Sequence, residues 1–339
     1  MRDLAWPDGA VIRRRGLLAA PALLLTSPAW AAFPDRTITL VTGFAPGGST
    51  DVAARLLADR MQATLPPGGR VVVENRSGAG GTVASEWLTR QNPDGHIIML
   101  VEASSHAVAP NAFRRGTRYD PIADYAPIAI VGTGPLVLVT SPRFPATTPE
   151  EMVAAMKALG ADGITYASSG VGSIPHLAAE MFRLATGSNA TFTHVPYRSG
   201  GQMVEAIAKN EAAFGVAVLA SAAPQIRDAR VRGIGLTTAR RSGAFPEMPT
   251  LAETALPGFD LGTWNLILAP RGIPDEAVAV LNHAITAAVA DPMLKERLSL
   301  AGVDAWEGPN TPADAGAFLA AEFAKFRDVV ARTGVQLDM

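Results

Sequence analysis

Hydrophobic positions along this chain fall into two recurring patterns. Short, nearly continuous apolar runs occur at Thr37–Thr42, Arg70–Val73, Ile97–Val101, Ile128–Val131, Leu136–Thr140, Ile164–Tyr166, Thr191–His194, Ala213–Leu219, Ile234–Thr237 and Asn265–Leu268. Between them, apolar residues recur at helical spacing over Val52–Leu65, Val83–Arg90, Glu151–Leu159, Ile174–Ala185, Gln202–Ala208, Ala277–Val289, Met293–Ala301 and Ala313–Thr333. The first pattern predicts strands and the second helices. Alternation of the two predicts an α/β fold with mostly parallel sheets flanked by helices. Runs as apolar as Leu136-Val137-Leu138-Val139 suit strands covered on both faces.

Two places break the alternation. Gly132-Thr133-Gly134-Pro135 separates two predicted strands with no helix between them, and Leu256 to Gly262 precedes the strand leading to Ala269-Pro270. Read as two hinge crossings, they divide the chain into two lobes: residues 32–135 with 259–339, and an inserted lobe, 136–258. Such a pair of lobes can close on a ligand by hinge motion.

Three strand–loop–helix junctions carry the candidate chemistry. Phe44-Ala45-Pro46-Gly47-Gly48-Ser49-Thr50-Asp51 follows the first strand, and Ser49, Thr50 and Asp51 are all good helix N-cap types. Asn75 to Thr82 and Ala167 to Ser173 repeat the arrangement. Glycine-rich turns of this kind aim backbone N–H groups and helix N-termini at the space beyond the strand ends, where an anion is welcome. No lysine follows the glycines of the first loop, which excludes a P-loop. A loop that holds a carboxylate and brings no general base points to binding rather than catalysis.

Residues 1–31 read as a signal peptide. Arg13-Arg14-Arg15 is a basic n-region, Gly16 to Leu25 a short apolar segment, and Ala29-Trp30-Ala31 a small-x-small cleavage pattern. Export to the periplasm follows, by the general or the twin-arginine route. No other stretch is long and apolar enough to span a bilayer. The chain has no cysteine, which excludes disulfides, thiolate metal sites and a cysteine nucleophile. A net charge of −2, with no basic run apart from the signal, argues against nucleic acid as a partner. His106 and His176 are candidate general bases, with Ser104, Ser105 or Ser169 as nucleophile. No G-x-S-x-G elbow and no metal-ligand spacing accompanies them, so no catalytic residue, metal or cofactor is expected.

Several stretches, in order and spacing, resemble the periplasmic solute-binding proteins of tripartite tricarboxylate transporters, the Bug family. They are Phe44–Asp51 with Ala54-Arg55, Val73–Gly81, Asn92-Pro93-Asp94-Gly95, Tyr166–Ser173 with His176–Glu180, His194–Arg198, Pro249–Glu253 and Leu268-Ala269-Pro270. The resemblance covers nearly the whole chain beyond the signal. It implies a two-lobed type II periplasmic-binding fold that captures a small carboxylate or amino-acid-like ligand, as a monomer, and hands it to integral-membrane permease subunits.

Carried over by position, Phe44, Ala45, Gly47, Gly48, Ser49, Thr50 and Asp51 would frame one ligand carboxylate. Gly78, Ala79, Gly80 and Thr82 would line the same lobe. Ser168, Ser169, Gly170, Gly172, Ser173 and His176 would cover the ligand from the inserted lobe. Arg198 could meet a ligand carboxylate, and Ser104 belongs to the same set. This chain departs from the family in three places: Ala84 replaces a usual glycine, Ala217 stands where an aspartate is common, and Glu102 is an unusual acid. If Glu102 faces the cleft, it disfavours a second ligand carboxylate and welcomes an amine or hydroxyl. Two other functions fit the same pattern: a sensory module for a receptor kinase, and a secreted hydrolase.

Overall fold

The structure is a computed structural model that describes residues 33–159 and 163–336, so the signal-peptide reading lies outside the described residues. The first stretch runs β1 (Ile38–Thr42), α1 (Ser49–Thr64), β2 (Val71–Asn75), α2 (Thr82–Leu88), β3 (Ile97–Glu102), α3 (Ala109–Ala112) and β4 (Tyr125–Thr140). Then come α4 (Pro149–Ala158), β5 (Ile164–Ser168), α5 (Ile174–Thr186), β6 (Phe192–Pro196), α6 (Gly200–Ala208), β7 (Phe214–Val218), α7 (Leu219–Arg227) and β8 (Arg232–Leu236). The chain finishes with β9 (Gly262–Pro270), α8 (Asp275–Ala290), α9 (Pro292–Leu300), β10 (Asp304–Ala305) and α10 (Pro312–Thr333).

The strands follow the order β2-β1-β3-β9-β4-β7-β5-β6, with β8 and β10 attached to β4. Pairing is parallel within β2-β1-β3 and within β6-β5-β7. The expected parallel units are thus present at both ends of the sheet. Between them, β4 and β9 run antiparallel to each other and to their neighbours β3, β7 and β8. Both ends therefore carry their loops at strand carboxyl ends, and the two long strands bring those loops face to face.

The strands predicted at Ile128–Val131 and Leu136–Thr140 are one strand. Residues Tyr125–Pro135 pair with β9, whereas Leu136–Thr140 pair with β7 and β8, so the change of partner falls between Pro135 and Leu136. Gly132 and Gly134 do not break the strand. Glycine at 132 lets β10 approach, because a Cβ there would stand 2.5 Å from the Asp304 carbonyl oxygen. Helix α7 went unread in the sequence because Pro224, inside it, looks like a terminator.

The core lies on both faces of the sheet. Ile38, Leu40, Ile98, Leu100, Leu266 and Leu268 are fully buried, with α1 packed on β1 and β3 and with α8 and α10 packed on β4. A second cluster packs Val137 and Val139 of β4 against Met203, Val204 and Ile207 of α6 and Leu219 and Ala222 of α7. Ala217, the departure from a common aspartate, is fully buried in that second cluster. Among the described residues no single helix is long and apolar enough to cross a membrane.

Candidate functional site

The first loop owes its form to a helix that begins without a side-chain cap. Five helices close their own first turn: Thr148, Ser173, Ser199, Asp291 and Thr311 each accept a backbone N–H of α4, α5, α6, α9 and α10. The N-cap of α1 is Gly48, in extended conformation and without a side chain to offer. Ser49, Thr50 and Asp51, expected as cap types, lie inside the first turn instead. The Ser49 N–H donates to Ser221 Oγ at 2.8 Å. The N–H groups of Thr50 and Asp51 find no acceptor among the described residues. Two open donors at a helix N-terminus favour an anion.

Asp51 holds the loop in place. Its carboxylate accepts from the Gly47 N–H at 3.0 Å, from Asn75 Nδ2 at 2.8 Å and from Arg55, which also forms an ion pair at 2.9 Å. Burial pushes its carboxyl upward, but these hydrogen bonds outweigh burial and hold it below the usual carboxylate range. Asn75 Nδ2 also reaches the Phe44 carbonyl at 2.9 Å, which pins the buried Phe44 backbone.

The other loops converge on this one. The N–H of Ala45 donates to the Arg198 carbonyl at 3.3 Å, while the Arg198 side chain itself is exposed. Gly80, between Gly78-Ala79 and Thr82, has φ +63°, and a Cβ there would come within 3.0 Å of the Gly172 carbonyl carbon and the Ser173 nitrogen. The second and third loops therefore touch backbone to backbone, with Gly170 and Ser169 buried beside them. Thr82 turns its hydroxyl to the Ala79 carbonyl at 2.9 Å.

On α5 the expected donors are largely spent. Ser173 Oγ caps His176 N–H at 3.3 Å, Pro175 has no N–H, and the Ile174 N–H donates to Ser104 Oγ at 2.9 Å. Ser168 Oγ sits within hydrogen-bond reach of His194 Nε2 at 2.6 Å and of the Gly170 backbone. His176 stacks on His194 with ring centroids 3.8 Å apart, and its Nδ1 accepts from the Gly172 N–H at 3.4 Å. Burial together with His194 lowers His176 to about 3, and burial lowers His194 to about 4.

Glu102 faces this junction and is buried, with 3% of its surface exposed. Thr50 Oγ1 donates to its Oε2 and Ser104 Oγ to its Oε1, each at 2.6 Å. Burial pushes its carboxyl up, and the two hydroxyls offset this only in part.

Sequence reading missed three contributors. Ser199, Gly200 and Gly201 open α6, and the N–H groups of Gly200 and Gly201 have no acceptor among the described residues. A Cβ on Gly48 would lie 3.4 Å from Ser199 Cβ and 3.7 Å from the Gly200 nitrogen, so the open ends of α1 and α6 meet. The signal was present, because strand β6 followed by Tyr197-Arg198-Ser199-Gly200-Gly201 repeats the pattern of the other loops. Ser221 joins from the unpredicted α7, and Asn265 from the start of the apolar run Asn265–Leu268, where neither had a legible mark.

Paired Gly/Ser loops at strand ends, two parallel sheet units joined by β4 and β9, and an uncapped α1 define a solute-binding receptor of the type II periplasmic-binding class. A family model described as "Tripartite tricarboxylate transporter family receptor" matches residues 53–335. The chain is 31% identical over 322 residues to Protein BugT of Bordetella pertussis, covering 95% of this chain and 97% of that one. Two solved structures superimpose closely. An adipate-bound protein from R. palustris has TM-score 0.84 at 28% identity, with 91% and 100% of the two chains covered. Malate-bound MatC from Rhodopseudomonas palustris has TM-score 0.82 at 29% identity, with 88% and 100% covered. The chain belongs to the tripartite tricarboxylate transporter receptor family, the group that includes the Bug proteins.

Proposed function

We propose that this protein captures a small organic carboxylate in the periplasm and delivers it to the integral-membrane permease subunits of a tripartite transporter. The lobes are residues 32–135 with 259–339, and 136–258. The change of partners along β4 between Pro135 and Leu136 supports the first boundary, and the start of β9 at Gly262 supports the second. The observation that carries the reading is the pair of open N–H groups on Thr50 and Asp51, met by those of Gly200 and Gly201 across the cleft. Hydroxyls and amides bind an anion without adding a buried charge of their own. The adipate and malate held by the relatives fit the same chemistry.

Catalysis is not part of this reading. Two serine–histidine pairs exist, Ser168 with His194 at 2.6 Å and Ser105 with His106 at 2.9 Å. No carboxylate hydrogen-bonds either imidazole among the described residues, so neither has the orienting third member that such a pair needs. The protein works as a monomer, exported by its N-terminal segment.

A thermal-shift and calorimetric screen of the purified protein against small carboxylates and amino acids tests this. A ligand at about a thousand times its Kd stabilises by roughly 4 kcal/mol, a rise of several degrees in Tm. No shift with any carboxylate, on protein stripped of co-purified ligand, would refute carboxylate capture. Loop closure gives a second test. Gly80→Val strains φ and presses against the Ser173 backbone, so affinity should fall at least about tenfold. Equal affinity in calorimetry would show that the second and third loops do not close on the ligand.

A further inference from the structure

Glu102 is an acid in a place built for anions. Its two oxygens take the hydroxyls of Thr50 and Ser104, which belong to the α1 turn and to the turn after β3. Ser104 in turn accepts the N–H that opens α5. The side chain is buried, and among the described residues no lysine, arginine or histidine pairs with it. Thr50 links the two features of the cleft: its backbone N–H is one of the two open donors, and its hydroxyl bonds Glu102.

Asn265 stands opposite Glu102 in the antiparallel β3–β9 register, so both side chains leave the same face of the sheet. It is also buried, and its carboxamide makes no hydrogen bond to another described residue. An acid and an unengaged amide therefore sit side by side, one residue away from the open donors of α1.

We propose that Glu102, with Asn265 beside it, makes the cleft selective for amino acids: ligands whose ammonium group lies next to the carboxylate held at α1. This rests on the reading of the cleft as a carboxylate site. An ammonium donates to the remaining lone pairs of Glu102 and to the Asn265 carbonyl, which supplies the charge partner that Glu102 lacks. A second carboxylate in the same position would set two acids together without a cation, a pairing in which both cannot stay ionised. Raised by burial, the Glu102 carboxyl gains more from an arriving cation than an exposed acid would.

Calorimetry at pH 7.5 with matched probes decides the matter: α-amino acids, their des-amino analogues, and the dicarboxylates malate, succinate and adipate. The wild-type protein should bind its preferred amino acid at least about tenfold tighter than the des-amino analogue and than any of the dicarboxylates, the scale of one charge-assisted hydrogen bond. Glu102→Gln, nearly isosteric, should shrink that ratio to about threefold or less. Equal wild-type affinity for amino acid and des-amino analogue, or an unchanged ratio in Glu102→Gln, overturns the proposal and leaves carboxylate capture standing. Binding of no carboxylate at all overturns both. The wild-type ratio decides even if the variant fails to fold.

Discussion

Gly48→Asp is expected to abolish carboxylate binding, by about a hundredfold or more, while leaving the fold as stable as before. Gly48 is the N-cap of α1 with φ −81° and ψ 168°, a conformation that aspartate adopts readily. An aspartate there would accept the N–H groups of the first turn, the same donors that stand open on Thr50 and Asp51. The helix gains a cap worth a few tenths of a kcal/mol over glycine. Space is adequate at the first atom, since a Cβ meets Ser199 Cβ at 3.4 Å, an ordinary contact. The ligand carboxylate, however, would find its donors taken and a fixed like charge beside them, a penalty of about 3 kcal/mol or more. Titration calorimetry paired with thermal melts separates the two effects. Undiminished affinity with an unchanged melt would show that the α1 turn is not the anion site.

Much of this architecture was legible because strand and helix periodicities differ so sharply here. Runs such as Ile97–Val101 and Ala277–Val289 match β3 and α8 to within a few residues. The loops were legible for a related reason, since glycine clusters between a strand and a helix have few other uses. What the loops do was less visible. Serine and threonine at a helix start look alike whether they cap, as Ser173 does for α5, or bond a buried acid, as Thr50 does for Glu102. That difference depends on where neighbouring elements fall, which local pattern does not encode. Crossings were hidden for the opposite reason: Gly132 to Pro135 carries every mark of a break, yet β9 pairs it through Thr263 and Trp264. Tertiary pairing overrode local propensity there. Glu102 stood out only as an odd residue, and its role needed the register that sets Asn265 across from it.

Acid should destabilise this protein steeply well before its surface carboxylates are protonated. Three histidines are held neutral inside it. His106 lies fully buried between Tyr119 and Tyr125, with Ser105 Oγ at its Nδ1, and burial lowers it to about 3. His176 and His194 form the stacked pair, lowered to about 3 and about 4. In the unfolded chain each titrates near 6.5. Below that value the unfolded state binds more protons than the folded one, so stability present at neutral pH is lost as the pH falls from about 6.5 toward 4. Each histidine loses on the order of 2 kcal/mol between pH 7 and pH 5. The pair shares one stack, so protonating one member hinders the other in the folded state, which does not shrink the loss, and the three together should lose about 6 kcal/mol. Glu102 works in the other direction, because its raised carboxyl favours the folded state as the pH falls toward 4.5. One carboxyl offsets only part of three imidazoles. Urea unfolding at pH 7.5, 6.0 and 5.0 should therefore show a steep fall, against a total stability of about 5 to 15 kcal/mol. Replacing both members of the pair, His176→Gln with His194→Gln, should roughly halve or further flatten the slope, whatever it does to stability at pH 7.5. Parallel slopes in the two proteins would mean that the stacked imidazoles are not the acid-sensitive element, and that His106 or the carboxylates set the pH response.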